Sequence, residues 1–249
     1  MGFLYKIKIG LIAIARINNW WDYFLDYFHL KKGYIVYRIR NKKIITRAGT
    51  IDKSIITELV LTDKYFPSWL KLKPDALVID LGAHIGIFSV LIDRKVYAVE
   101  PAEDNYKLLL EQINLNKLDI KPFKIAISNE KGRMKLYRGR HSARFSLIER
   151  EEEECDFVNT LSLEEFFIKN NINYCDLMKV DIEGGEYKAF YSTPKTIFDK
   201  IRKIFLEIHQ INGENRDELI NFLKNQGFQI KQKQKSFLYA IKSEENEGL

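Results

Sequence analysis

The residues of this chain whose types and spacing could do chemistry are mostly carboxylates. Asp80 stands just ahead of Gly82-Ala83-His84-Ile85-Gly86, Glu100-Pro101 follows about twenty residues later, and Asp181-Ile-Glu183-Gly-Gly-Glu186 precedes Glu207 and His209. The two glycines let backbone approach a ligand closely, and a helix beginning after them offers free N–H groups. A carboxylate ahead of such a turn repels a pyrophosphate but holds the ammonium of an amino-acid ligand, directly or through water. An acid at the tip of the next strand accepts hydrogen bonds from both hydroxyls of a ribose. The expected ligand is therefore a nucleoside with a zwitterionic tail. His209 and Asp181 are the candidates to take a proton from an acceptor hydroxyl, since a histidine titrates near neutrality. Glu183, Glu186 and Glu207 would face the substrate. A divalent cation held by Asp181, Glu183, Glu186 and His209 is the rival arrangement, and the reading adopted has no metal.

These side chains need a sheet to hold them. The apolar run Leu77 to Leu81 reads as a buried parallel strand, and Val96 to Val99, Lys121 to Ile127, Leu177 to Val180 and Ile201 to Ile208 follow as further strands. Phe228 to Ile230 with Phe237 to Ile241 form a final antiparallel pair. Ala102 to Asn116 has helical spacing, Ser162-Leu-Glu-Glu165 is a capping box opening a helix to about Lys169, and Arg216 to Asn225 is a helix stopped by Gly227. Ligands of open parallel sheets bind beyond the strand carboxyl ends, where Asp80, Glu100, Asp181 and His209 all fall. The glycine turn lacks the third glycine of the dinucleotide fingerprint, which favours S-adenosylmethionine over NAD; Glu100 suits both.

Val78-Ile-Asp-Leu-Gly-Ala-His-Ile-Gly-Ile-Phe-Ser89, Val99-Glu-Pro101, Ala126-Ile-Ser-Asn129 and Leu177-Met-Lys-Val-Asp-Ile-Glu-Gly-Gly-Glu186 resemble the FkbM family of class I S-adenosylmethionine-dependent methyltransferases. His84 stands where that family more often has asparagine, and Gly185 where alanine is common. The resemblance implies an α/β, Rossmann-like sheet, mostly parallel with an antiparallel last strand. It implies S-adenosylmethionine as cofactor and, as acceptor, a hydroxyl of a sugar, glycolipid or secondary metabolite. Cofactor contacts are expected from Asp80, Gly82, Ala83, His84, Gly86, Glu100 and Pro101. Asn129 is placed near the adenine edge, with a plain turn as its rival. Glu58 and Tyr65 match the family's entry helix and could equally be a solvated face and a core ring. The match runs from about Arg47 to Ile241, which divides the chain into an extension over 1–46, a methyltransferase domain over 47–243 and an acidic tail over 244–249.

The extension is basic and aromatic, with an apolar run from Ile9 to Ala15 and then Trp20, Trp21, Tyr23, Phe24, Tyr27 and Phe28. That run is far shorter than the roughly 20 residues that cross a bilayer. A helix packed over the domain or a partner subunit is the favoured reading, and peripheral contact with a membrane is the alternative. A hairpin over Gly33 to Thr50 leads into the domain. Met134 to Ile148 is a basic excursion with Arg138, Arg140, His141 and Arg144, expected as a hairpin or lid that meets an anionic part of the substrate. The formal charge of +6 is read as spread along the chain among many glutamates, and no compact basic and aromatic module argues for nucleic acid. RNA methylation and a cofactor-binding scaffold without turnover remain the competing functions. Two cysteines without metal spacing suit a reducing, cytoplasmic setting.

Overall fold

In the computed structural model, which describes residues 3–62, 64–138, 145–146, 155–234 and 236–243, the chain enters through two helices, α1 (Phe3–Arg16) and α2 (Trp20–Tyr27). A hairpin of β1 (Tyr34–Ile39) and β2 (Lys42–Arg47) and the helix α3 (Asp52–Leu61) follow. The alternation then begins: β3 (Leu77–Leu81), α4 (Ile87–Ile92), β4 (Lys95–Val99), α5 (Glu103–Asn116) and β5 (Ile120–Phe123). An excursion of β6 (Ala126–Ser128), β7 (Gly132–Arg138), β8 (Phe145–Ser146) and β9 (Cys155–Ser162) leads to α6 (Leu163–Lys169). The chain closes with β10 (Leu177–Val180), α7 (Glu186–Tyr191), α8 (Lys195–Phe198), β11 (Lys203–Glu207), α9 (Arg216–Asn225), β12 (Phe228–Lys233) and β13 (Phe237–Lys242).

The main sheet has the order β12-β13-β11-β10-β3-β4-β5. Its pairs from β11 to β5 are parallel, and β13 runs antiparallel to β11 and β12. This is the α/β, Rossmann-like architecture with an antiparallel last strand. Strands covered on both faces are mostly apolar, and β10 is buried at every position, its one charged residue, Lys179, lying against Asp80 of β3. The order reverses between β3 and β10, which opens a crevice at their carboxyl ends.

Two strand assignments change. Lys121 to Ile127 is not one strand: β5 ends at Phe123, and Ala126–Ser128 leaves to pair in parallel with β9 in a second sheet of order β6-β9-β7-β8. Pro122 lacks an N–H, so this segment can serve only as the outer edge of the main sheet, which is where β5 lies. The fifth strand is shorter than Ile201 to Ile208, because Ile201 makes an isolated bridge with Cys175 instead. The capping box holds: the Ser162 hydroxyl accepts from the Glu165 N–H, and the Glu165 carboxylate accepts from the Ser162 N–H.

One hydrophobic core runs straight across residue 46, joining Ile17, Tyr37 and Ile44 to Ile56, Val78 and Leu109. Side-chain amides of α5 knit the hairpin to the domain. Gln112 Nε2 donates to the Ile45 carbonyl at 2.7 Å and its Oε1 accepts from the Ile45 N–H at 3.0 Å. Asn116 does the same with Lys43, at 2.7 and 2.8 Å. No helix among the described residues is long and apolar enough to cross a membrane.

Candidate active site

At the end of β3 the chain must turn beside its neighbour. Gly82 has φ +75°, and a Cβ there would lie 1.8 Å from the Asp181 carbonyl oxygen. Only glycine fits, because the clash is with backbone. The turn is pinned by the Gly82 and Ala83 N–H groups, which both donate to the Val99 carbonyl. Gly86, at φ +84°, opens α4, and a Cβ there would meet Leu109 Cδ1 at 2.5 Å. Gly82, Ala83 and His84 line a cavity of about 210 Å³, together with Glu100, Pro101 and Asn105.

Glu100 follows β4 directly and is almost fully buried. Its Oε2 accepts from the His84 N–H at 2.8 Å and its Oε1 from the Ala102 N–H at 2.9 Å. Burial outweighs these donors and pushes its carboxyl up to about 7. Asn105, one turn into α5, reaches the same oxygen.

Asp80 does not line this cavity. Its carboxylate is fully buried, with Oδ2 accepting from Ser89 Oγ at 2.6 Å and Oδ1 3.1 Å from Lys179 Nζ. Lys179 is paired with Asp80 in the β10–β3 register, so the cation is delivered directly beside the acid. Its ammonium also donates to the Gly82 carbonyl at 2.7 Å. Asp80 thus braces the turn from behind, and the expected direct grip on an ammonium is replaced by this internal pair. Burial opposes the Lys179 charge, but Asp80 and Asp181 beside it outweigh that and hold its ammonium above the ordinary lysine range.

His84 adopts φ +53° and lines the cavity. Its Nε2 lies 3.1 Å from Arg47 Nη2, and Arg47 is held in a fork by the buried Asp52. A guanidinium can only donate, so Nε2 accepts and Nδ1 carries the proton. That Nδ1 is buried without a hydrogen-bond partner among the described residues. Burial lowers the imidazole to about 4, which keeps it neutral.

The opposite rim is acidic. His209 Nδ1 lies 2.8 Å from Glu186 Oε1, while Nε2 is 3.5 Å from Glu183 Oε2 and 3.9 Å from Asp181 Oδ1. Burial opposes charge on His209, but the hydrogen bond and charge of Glu186, with Asp181 and Glu183, outweigh it and raise the imidazole to about 9. The expectation of a histidine titrating near neutrality is corrected by these three neighbours. Glu186 is wholly buried and lies behind His209, away from the cavity lining, so it orients the ring and does not face a substrate. Asp181, Glu183 and His209 each offer one ligand atom within 4.8 Å of the others, a set that a divalent cation could also bridge.

Glu207 and Tyr65 line the cavity too. Glu207 Oε2 accepts from Lys64 Nζ at 2.8 Å and from the Tyr65 hydroxyl at 3.0 Å. Lys64 reaches Glu58 as well, at 3.0 Å, and Glu58 stands half-exposed at the mouth. Asn129 is exposed, accepts from Ser128 Oγ, and lies off the cavity; Ala126, Ile127 and Leu136 form the wall there instead. β6 ends at Ser128 with all three of its residues buried, so Asn129 falls in the exposed turn that follows. Arg138 ends β7, and Arg140, His141 and Arg144 lie outside the described residues. Sequence reasoning missed Lys64, Asn105 and the Arg47–Asp52 fork. Of these, only Asn105, in the first turn of the helix after Glu100, had a positional signal.

A model of the methyltransferase FkbM domain matches residues 80–230. The chain belongs to the FkbM methyltransferase family. It is 22% identical over 230 residues to the 31-O-demethyl-FK506 methyltransferase FkbM of Streptomyces tacrolimicus, covering 78% of this chain and 88% of that one. It is 24% identical over 219 residues to the methyltransferase sdnD of Sordaria araneosa, covering 72% and 83%. Among solved structures, it is similar to the magnesium protoporphyrin IX methyltransferase of Synechocystis PCC 6803 with bound SAM, at 12% identity and TM-score 0.43 over 76% of this chain and 77% of that one. As in other FkbM methyltransferases the cofactor is S-adenosylmethionine. The residues fit it: Glu100 presents a buried carboxylate where ribose hydroxyls would donate, and the orphaned His84 Nδ1–H is a donor without an acceptor among the described residues.

Proposed function

We propose that this FkbM methyltransferase methylates a hydroxyl oxygen on a sugar, glycolipid or other secondary metabolite. The observation that carries the reading is His209, which lines the same cavity as Glu100 and is held from behind by the buried Glu186. Bound there, S-adenosylmethionine supplies a methyl already activated on a sulfonium. The chain then has two tasks. It must hold the acceptor oxygen in line with that methyl, which is worth roughly 7–11 kcal/mol, and it must receive one proton, worth about 10²–10⁴ in rate. An alcohol needs the second, because its oxygen attacks well only as its proton leaves. His209 Nε2 receives the proton, Glu186 fixes the ring through Nδ1, and Asp181 and Glu183 hold the imidazolium that forms. The name of the Streptomyces relative specifies an oxygen-linked methyl, which supports the same acceptor class here.

Incubating the protein with methyl-labelled S-adenosylmethionine and fractionated cell extract tests this. Label in an alkali-stable, nuclease-resistant glycan, lipid or small-molecule fraction is expected. Nuclease-sensitive label would assign RNA as the acceptor, and an absence of label in every fraction would leave a scaffold.

A further inference from the structure

The N-terminal helices bury one face and leave the other bare. Ala13 of α1 and Ile17 just after it pack into the core, while Leu4, Ile7, Leu11 and Ile14 of α1 are 45–80% exposed. At 3.6 residues per turn these four fall within an arc of roughly 80°, a continuous stripe along the helix. On α2 and its end, Trp21, Leu25 and Phe28 repeat at the same kind of spacing, and Trp21 and Phe28 are each more than 60% exposed. Exposed Lys8 borders the α1 stripe, exposed Lys6 stands farther round the first turns of the helix, and exposed Lys32 follows α2.

The charge is not spread evenly, contrary to the expectation from composition. The first fifty residues hold ten Lys and Arg against two Asp and Glu, so the remaining 199 hold thirty against thirty-two. The whole positive excess therefore sits on the part of the chain that carries the bare stripes. Those two acids are also engaged: Asp26 is buried, and Asp22 pairs with Lys31 at 2.8 Å.

We infer that this face docks the protein on an anionic bilayer, with the apolar stripes of α1 and α2 at the acyl boundary and Lys6, Lys8 and Lys32 among the headgroups. Apolar residues beside a tryptophan and flanked by lysines suit the interface, where rings and ammonium groups each find their own layer. With 14 residues α1 is too short to span the roughly 30 Å hydrocarbon layer, so it lies along the surface. A second copy of the chain is the poorer occupant. Pairing two α1 helices would bring lysines of both copies together, and α1 contains no acidic residue to offset them. The inference is independent of which acceptor is methylated.

The test is flotation of the full chain with vesicles of phosphatidylcholine alone or with about one-third phosphatidylglycerol, read beside sedimentation velocity without lipid. The wild type should float with the anionic vesicles and be released by high salt. The double variant I7E/L11E, on exposed positions, should partition at least tenfold less, and K6E/K8E should lose binding to anionic vesicles by a similar factor. Both should bind adenosylhomocysteine in calorimetry as the wild type does, which shows that they are folded. Failure of the wild type to float, equal flotation of the variants, or a dimer abolished by I7E/L11E in a chain that ignores vesicles would each overturn the inference.

Discussion

His209 carries its proton at neutral pH because Glu186, Asp181 and Glu183 together outweigh the burial that opposes charge, holding the imidazole at about 9. If it receives the acceptor's proton, only its neutral form works. The logarithm of kcat/KM, which reports the free enzyme, should then rise with unit slope from pH 7 and level off near 9. A profile already flat at pH 7 would hand the proton to Asp181. The same raised value has a sign for stability. The pairing stabilises the fold fully below about 6.5, the ordinary histidine value, and its contribution fades as pH rises through about 9. Glu100 behaves in the opposite sense toward its ligand. Ribose hydroxyls donate to the charged carboxylate, so binding lowers a group that burial had pushed up to about 7, and adenosylhomocysteine affinity should weaken as pH falls below 7. Glu100→Ala should cost about 1.5–3 kcal/mol of that affinity in calorimetry, the range for hydrogen bonds to a charged group.

At the scale of elements, the turn between β3 and α4 separates two glycines that look alike in sequence. The Cβ of Gly82→Ala meets backbone at 1.8 Å, whereas that of Gly86→Ala meets the end of the flexible Leu109 side chain at 2.5 Å. Gly86→Ala should therefore cost about 1–2 kcal/mol in urea unfolding, mainly for its left-handed backbone. Gly82→Ala should cost about 3 kcal/mol or more, because β3 and β10 must move apart. Equal losses would show that the Asp181 carbonyl is free to retreat. Elements with strong local signals were legible here: the apolar runs of β3 and β10, the capping box of α6, and the helix ended by Gly227. The β6–β9 sheet was not, since the polar and apolar residues of Cys155–Ser162 break the alternation that marks a strand, and its partners are set by long-range pairing alone.

For the molecule as a whole, the extension and the catalytic sheet share one core, and the amides of Gln112 and Asn116 act as an extra strand edge for the hairpin. Gln112→Leu leaves the Ile45 N–H and carbonyl without their partner. It should destabilise the entire chain by about 2 kcal/mol or more in one cooperative transition. A separate early transition of the N-terminal part would instead favour independent units meeting near residue 46. Sequence alone determined the α/β class, the glycine turn, the strand-end acids and the family, because each rests on neighbours within a few residues or on the burial pattern of a single strand. Only the tertiary structure decided what those acids do. Asp80 and Glu100 look equivalent along the chain, yet the register of β10 sets Lys179 against the first and leaves the second facing the cavity. His209 looks neutral until the fold gathers three carboxylates around it, since a side chain's charge is fixed by what surrounds it in space.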